Sequence, residues 1–340
     1  MKMKKLLFLA ALGLTATATF TSCEDILGHW EKPTPVTPTP SEPEEESVPG
    51  LLTGMFTINA SGDKVQFSQG NLQYQASTST WRFAENQYDY VGDASNGNVY
   101  VESTKSNNSS ISEFYTGWID LFGWGTAGHS FTSGYGTAYQ PWSTSTTNTY
   151  YGPTDGTSGL TGTYAEGDWG SNMGTGWRTL IGGSGGEWEW ILGPSSAEPG
   201  TNCRTSSTIG TTENARFVKA VVHSTNGVII FPDEITWNTT TMGTAPTTCN
   251  TAGDDFTYPP TDDNWTALEA AGCVFLPAAG YRYGTDVSDV GSFGSYWSST
   301  AKGTTDAYRV PFNSDEVSPA DFDYRRYGFS VRLVRPVSVE

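Results

Sequence analysis

Side chains capable of acid–base or nucleophilic chemistry are few in this chain and far apart. The histidines are His29, His129 and His223. They fall in a proline-rich stretch, a Gly/Ser loop and the end of an apolar strand, so neither a Ser-His-Asp triad nor a histidine metal site assembles from them. A strand-end role fits His223. Glu187 and Glu189 are two carboxylates of the kind that cleave glycosides. They alternate with Trp188 and Trp190 on a predicted short helix, where side chains two apart do not share a face, and a solvated helix edge is the expected role. Asp254-Asp255 and Asp262-Asp263 offer hard oxygen ligands for calcium, but acidic pairs in loops are ordinarily solvated. Cys203, Cys249 and Cys273 show no CxxC or Cys/His metal spacing. Being odd in number, they allow one disulfide at most. A Cys203–Cys249 pair stays open, whereas Cys273 in AAGCVFLPAAG suits a buried thiol. These residues imply no catalytic group, no metal and no cofactor.

A different kind of chemistry is spread over the C-terminal stretch from Phe275. Leu276, Pro277, Gly280, Tyr281, Arg282, Gly291, Tyr296, Trp297, Ser298, Ser299, Tyr308, Phe312, Gly328, Phe329, Val331, Arg332, Leu333 and Val334 suit strands, turns and a buried seam. Between them stand Tyr283, Asp286, Asp289, Phe293, Asp306, Arg309, Asp315, Asp321, Phe322, Asp323, Tyr324 and Tyr327, which share neither charge nor size. A catalytic site requires fixed chemistry at such positions, and a recognition surface does not. The aromatic members would give rigid contact area, while Arg309, Arg325, Arg326 and the aspartates would give polar selectivity.

The elements that must carry this surface are mostly strands. Alternating Val65, Phe67 and Leu72 predict a strand over 64–75, preceded by one over 55–59 and followed by one over 81–91. Ser61-Gly62-Asp63 and Ser77-Thr78-Ser79 read as hairpin turns. Further strands are expected over 218–222, 227–231, 294–300, 305–313 and 328–336. Short helices are expected at 187–192 and at 264–271, the second between the Asp262-Asp263-Asn264 start and the Gly272 stop. The Ser/Thr/Gly/Tyr-rich stretch up to 175 lacks periodicity and reads as long ordered loops. The expected class is α+β, mostly β and loop-rich, with 51–340 as one domain.

Residues 1–22 have the layout of an export signal: Lys2, Lys4 and Lys5, an apolar run over 6–14, and small residues before Cys23. The run is too short to cross a bilayer. Cys23 directly after such a site looks like a lipidated lipoprotein start, although Phe20 is bulky for that motif and an ordinary signal peptide stays open. Residues 23–50 alternate proline with threonine and then gather glutamates, which suits an extended tether. Residues 51–340 carry 29 acidic and 14 basic side chains, a net of −15 (29 minus 14). That charge argues against nucleic acid and anionic membranes as partners.

Taken in order, VQFSQGNLQYQ (65–75), WRFAENQYDYVG (81–92), GWIDLFGWGT (117–126), GWRTL (176–180), NARFVKA (214–220), VFLPAAGYR (274–282), YWSST (296–300) and GFSVRLV (328–334) resemble the major paralogous domain family of bacterial surface lipoproteins. The resemblance implies the C-type-lectin-like fold of the formylglycine-generating-enzyme type, with IGGSGG standing where a longer helix usually follows GWRTL. The cysteine pair of those enzymes has no counterpart after Cys273, so their activity does not carry over. Glu198-Pro199-Gly200 departs at its third position from the calcium-dependent sugar motif of C-type lectins, and reads as a turn. Glu24-Asp25 resembles the export signal of surface lipoproteins in some gut anaerobes. The variable positions are also similar to those of proteins diversified by retroelements, where adenine-containing codons are rewritten; ordinary drift in surface loops stays open beside this.

The expectation is therefore a non-enzymatic lipoprotein of the outer membrane, cell-surface exposed and anchored by lipid at Cys23. It would be an adhesin or receptor-binding protein whose C-terminal face binds a protein or glycan on another cell or host surface. The alternatives are a carbohydrate-binding or carbohydrate-active surface protein, and a fibre tip or stalk subunit. Mass spectrometry of the mature protein should find an acylated N-terminus at Cys23, and Cys23→Ala should release the protein from membranes; a mature start elsewhere contradicts the lipoprotein assignment.

Overall fold

The computed structural model of the protein describes residues 48–98, 106–129, 140–153, 155, 157–194, 200 and 202–337. The export signal, Cys23 and the tether up to residue 47 lie outside the described residues. Strands β1 (Phe56–Thr57) and β2 (Lys64–Phe67) pair antiparallel. The turn between them forms because Asn59 Oδ1 accepts the amides of Ser61 and Asp63 at 3.0 and 3.1 Å, with Gly62 in the left-handed region at φ +85°. The run 64–75, expected as one strand, is divided. After β2 the Ser68 amide bonds the Leu333 carbonyl, and β3 (Leu72–Gln75) leaves to pair with β4 (Thr80–Phe83). Gly70 makes the crossing possible, since a Cβ there would stand 2.4 Å from the Ala84 carbonyl oxygen.

Helix α1 (Glu187–Leu192) forms where expected and ends at Gly193. Strands β5 (Phe217–Val222) and β6 (Thr225–Ile230) are joined by His223 and Ser224, both at positive φ, in a two-residue turn whose twist suits a hairpin. His223 is thus a strand-end residue, with its ring on Tyr88 and Nδ1 3.3 Å from Asp262. Helix α2 (Asp262–Ala270) starts before Asn264 because the Thr261 hydroxyl caps it, accepting the Asn264 amide at 3.3 Å, and Gly272 at φ +86° ends it.

Strand β7 (Val274–Pro277) completes the sheet β5-β6-β7. Its outer edge is closed by a side chain. Gln87, fully buried, donates from Nε2 to the Cys273 carbonyl (3.0 Å) and accepts the Phe275 amide on Oε1 (2.8 Å). This is why the strand expected over 81–91 stops at Phe83: the following residues present an amide to β7 in place of a backbone ladder.

The C-terminal part comprises β8 (Tyr281–Tyr283), β9 (Asp286–Ser288), β10 (Gly294–Lys302), β11 (Asp306–Phe312), β12 (Asp321–Tyr324), β13 (Tyr327–Gly328) and β14 (Val334–Pro336). They form the sheets β13-β8-β9 and β10-β11-β12, while β14 joins β1 and β2. The single strand expected over 328–336 is interrupted between β13 and β14, where Phe329, Val331, Arg332 and Leu333 are all buried. With 28% strand, 12% helix, small antiparallel sheets and no barrel, the protein is mostly β.

Long loops lie against the core through large aromatics. Trp124 donates its indole N–H to the Ser298 carbonyl at 2.8 Å, and Trp297 donates to Phe122 at 2.6 Å. Fully buried arginines fix other loops. Arg325 bonds the carbonyls of Asp306, Tyr151, Pro153 and Gly303, while Arg282 bonds those of Leu121, Gly284 and Ser143. Cys203, Cys249 and Cys273 are buried and none is in a disulfide, so the Cys203–Cys249 pairing does not form.

One buried acid makes stability respond to pH. Asp120 accepts the Val91 amide at 2.7 Å and the Asn108 amide at 2.8 Å, but desolvation dominates and pushes its carboxyl up to about 6. The native state therefore holds this proton more tightly than the unfolded chain, where the group titrates near about 3.9. Charged Asp120 costs stability above pH 6, and that cost is relieved as pH falls below it. In thermal unfolding of wild type and Asp120→Asn, the difference in melting temperature should shift in favour of wild type between pH 7 and pH 5. A difference that does not change with pH contradicts this account.

Candidate functional site

Strand alternation separates what the C-terminal segment buries from what it presents. In β8, Arg282 points inward and is fully buried, while Tyr281 is half-buried and Tyr283 is 37% exposed. Register places Tyr283 between Asp286 of β9 and Tyr327 of β13, giving a row of three side chains across one face of the sheet. The rings interlock: Tyr281 meets Phe293 and Tyr327 edge-on at 5.9 and 5.7 Å, Tyr283 lies 5.5 Å from Tyr327, and Tyr324 stacks on Tyr327 at 6.4 Å. Beneath them Tyr327 stacks on Phe329, which packs on Trp297. The surface rings thus rest on core rings.

The polar members are arranged around these rings. Arg309 of β11 pairs with Asp321 at 3.0 Å and Asp323 at 3.2 Å, both on the neighbouring β12, with its guanidinium over Phe293 and Phe329. Burial pushes the Asp323 carboxyl up, against the Tyr324 amide and Arg309. The Tyr327 phenol is raised too, first by burial and then by the nearby Asp323. Arg326, in the turn between β12 and β13, lies over Tyr324 (4.3 Å), Tyr283 (5.4 Å) and Tyr327 (5.9 Å).

The expected set therefore divides. Tyr283, Asp286, Phe293, Arg309, Asp321, Asp323, Tyr324 and Tyr327 converge on one surface. Phe322 (46% exposed) lies with Tyr308 and Lys302 around the hairpin, and Asp306 is half-buried with its carboxylate on the Thr305 hydroxyl. Asp289 sits in a turn at φ +55°, where its carbonyl accepts the amides of Ser292 and Phe293 and so holds the loop that presents Phe293. Asp315 lies apart, in a turn whose Ser314 carbonyl accepts Lys219 Nζ. Arg325, expected to give selectivity, is instead fully buried on four backbone carbonyls. Tyr281, assigned to no binding role from sequence, belongs to the surface; the Tyr-Arg-Tyr alternation in β8 is the signal that marks it.

A second concavity, of about 780 Å³, is lined by Leu160, Asp168, Trp177, Arg178 and Glu187, among others. Its carboxylates are engaged. Asp168 accepts the amides of Gly170 and Thr179 and the Thr179 hydroxyl. Glu187 is buried, in a bidentate pair with Arg178 at 2.6 Å and with the Ile181 amide at 2.8 Å. The solvated helix edge expected of Glu187 is thus overturned: the IGGSGG loop folds the chain back so that Arg178 meets the first turn of α1. Among the described residues no three His, Cys, Asp or Glu side chains group to hold a metal ion.

A family model described as a domain of unknown function (DUF8237) matches residues 235–334. The matched stretch includes every residue of the aromatic and charged surface. No curated protein and no solved structure matches the chain.

The division between frame and surface has a measurable consequence. Trp297→Ala removes a fully buried ring and its bond to Phe122 and should cost about 3–5 kcal/mol. Tyr324→Ala, at an exposed position, should stay near about 0.5 kcal/mol. Chemical denaturation of the two variants checks this, and equal losses contradict the division.

Proposed function

We propose that the protein is a surface-displayed lipoprotein that binds a ligand through its C-terminal face, as an adhesin or receptor-binding protein, and that it does no chemistry on that ligand. The observation that carries this reading is the convergence of chemically mixed side chains on adjoining strands whose alternate residues are core. Tyr283, Phe322 and Tyr324 are among the large hydrophobic side chains left exposed, and exposed aromatics on a rigid frame are the usual anchors of an interface. In this reading the domain has the C-type-lectin-like fold, Cys23 carries the lipid, and the tether holds the domain off the outer membrane. No helix among the described residues is long and apolar enough to cross a membrane. The mixed identities of the face suit diversification by a retroelement, for which a template repeat beside the gene is the test.

The binding role is tested by exchange. Replacing the exposed Tyr283, Asp286 and Tyr324 together with a different mixed set should change ligand choice and leave the circular dichroism spectrum intact. The contrast is large because exposed positions cost about 0.5 kcal/mol each in stability, whereas an interface anchor is worth about 2 kcal/mol or more. Binding is measured on bacterial cells, mucus glycans and host proteins. Retention of the same ligand at the same affinity, or unfolding, overturns the reading.

A further inference from the structure

Three arginines of the C-terminal sheets are bonded to carbonyls or carboxylates, and a fourth is not. Arg282 and Arg325 are spent on backbone carbonyls, and Arg309 on Asp321 and Asp323. Arg326 makes no hydrogen bond or ion pair with any described residue, and its Nε is buried without a partner. Its guanidinium is held by tyrosine rings alone, those of Tyr283, Tyr324 and Tyr327. Arg309 holds the two β12 carboxylates, and among the described residues no carboxylate lies within ion-pair distance of Arg326, which rests among the tyrosine rings.

Resting on the proposed recognition role of this face, we infer that Arg326 and the surrounding tyrosines form a subsite for a sugar residue bearing a single carboxylate. The planar guanidinium presents N–H donors matched to a carboxylate; with Nε buried, the donors left for a ligand are those on Nη1 and Nη2, which are not among the buried unpartnered atoms. Tyr283 and Tyr324, 37% and 43% exposed, offer flat surfaces on which the C–H face of a pyranose packs. Asp286, beside Tyr283 in the sheet, accepts hydrogen bonds from sugar hydroxyls. The same Asp286 and the net charge of −18 repel a ligand with many negative charges, so an acidic peptide or a nucleic acid suits the subsite less than one carboxylate on an uncharged ring.

The test uses the full chain and polymer-displayed probes: 3′-sialyllactose and a glucuronide, each beside its neutral counterpart, lactose and a glucoside, with a short polyglutamate as the peptide arm. The acidic sugars should bind and the neutral ones should bind at least tenfold more weakly. Arg326→Gln should lose tenfold or more of the acidic-sugar binding, and Arg326→Lys should restore part of it. Both variants should keep the wild-type circular dichroism spectrum, because Arg326 makes no hydrogen bond with any described residue and Arg326→Gln gives up only its contacts with the three tyrosine rings. Equal binding of acidic and neutral sugars, or full binding by Arg326→Gln, overturns the carboxylate subsite while leaving a sugar-binding face. Arg326-dependent binding of polyglutamate alone makes the source of the carboxylate a peptide and overturns the sugar assignment. If no probe binds, the subsite is wrong, and the exchange of the variable side chains against cells and host proteins judges the recognition role separately.

Discussion

The buried guanidinium group is the interaction on which this structure most depends. Long loops bring backbone carbonyls into the interior without a helix or a strand ladder to receive them, and a buried carbonyl without a donor costs free energy. Arginine brings five N–H donors on one planar group. Arg204 reaches the carbonyls of Ile191 and Phe231 as well as Asp233, and Arg216 reaches those of Leu192 and Pro194. Arg282 and Arg325 do the same for the loops under the C-terminal sheets. Desolvation lowers the pKa of Arg282 and lowers that of Arg204 only to about 10, so Arg204 stays charged at neutral pH while bound to carbonyl dipoles.

These anchors explain how neighbouring residues come to have opposite roles. Arg325 is enclosed by loop carbonyls and by the Trp124 ring, and the next residue, Arg326, rests on surface tyrosines. Arg282 is similarly enclosed between Tyr281 and Tyr283. Each inward arginine ties its strand to a remote loop, so the positions of the outward side chains are set by contacts they do not make. Side chains on the face can then differ in size and charge without any change in what holds the backbone.

Much of the frame was legible because its signals are local. The turn at Asn59, the start and stop of α2 and the hairpin of β10 and β11 all depend on residues a few positions apart. What could not be read depends on distant partners. Arg325 and Arg326 are identical in type and adjacent, and what draws Arg325 inward includes the carbonyls of Tyr151 and Pro153, 174 and 172 residues away. Asp315 has the spacing of the variable set, but its turn is drawn to Lys219 on β5. Glu187 gave no hint of burial, since its partner Arg178 returns only through the fold of a glycine loop. The pattern over 81–91 has the right alternation for a strand, and no periodicity reveals that Gln87 will supply an amide instead of a ladder.

That amide has a consequence for how copies of the molecule coexist. A sheet edge left open invites a strand from a neighbour, and crowding makes the encounter frequent. Here β7 is an edge strand whose Cys273 carbonyl and Phe275 amide are occupied by Gln87, and whose Pro277 carbonyl accepts the Tyr296 hydroxyl. The edge is capped from within the same chain, by side chains too short to propagate a ladder. That edge is thereby insulated against a strand from a neighbour, and the insulation resides in one glutamine and one tyrosine.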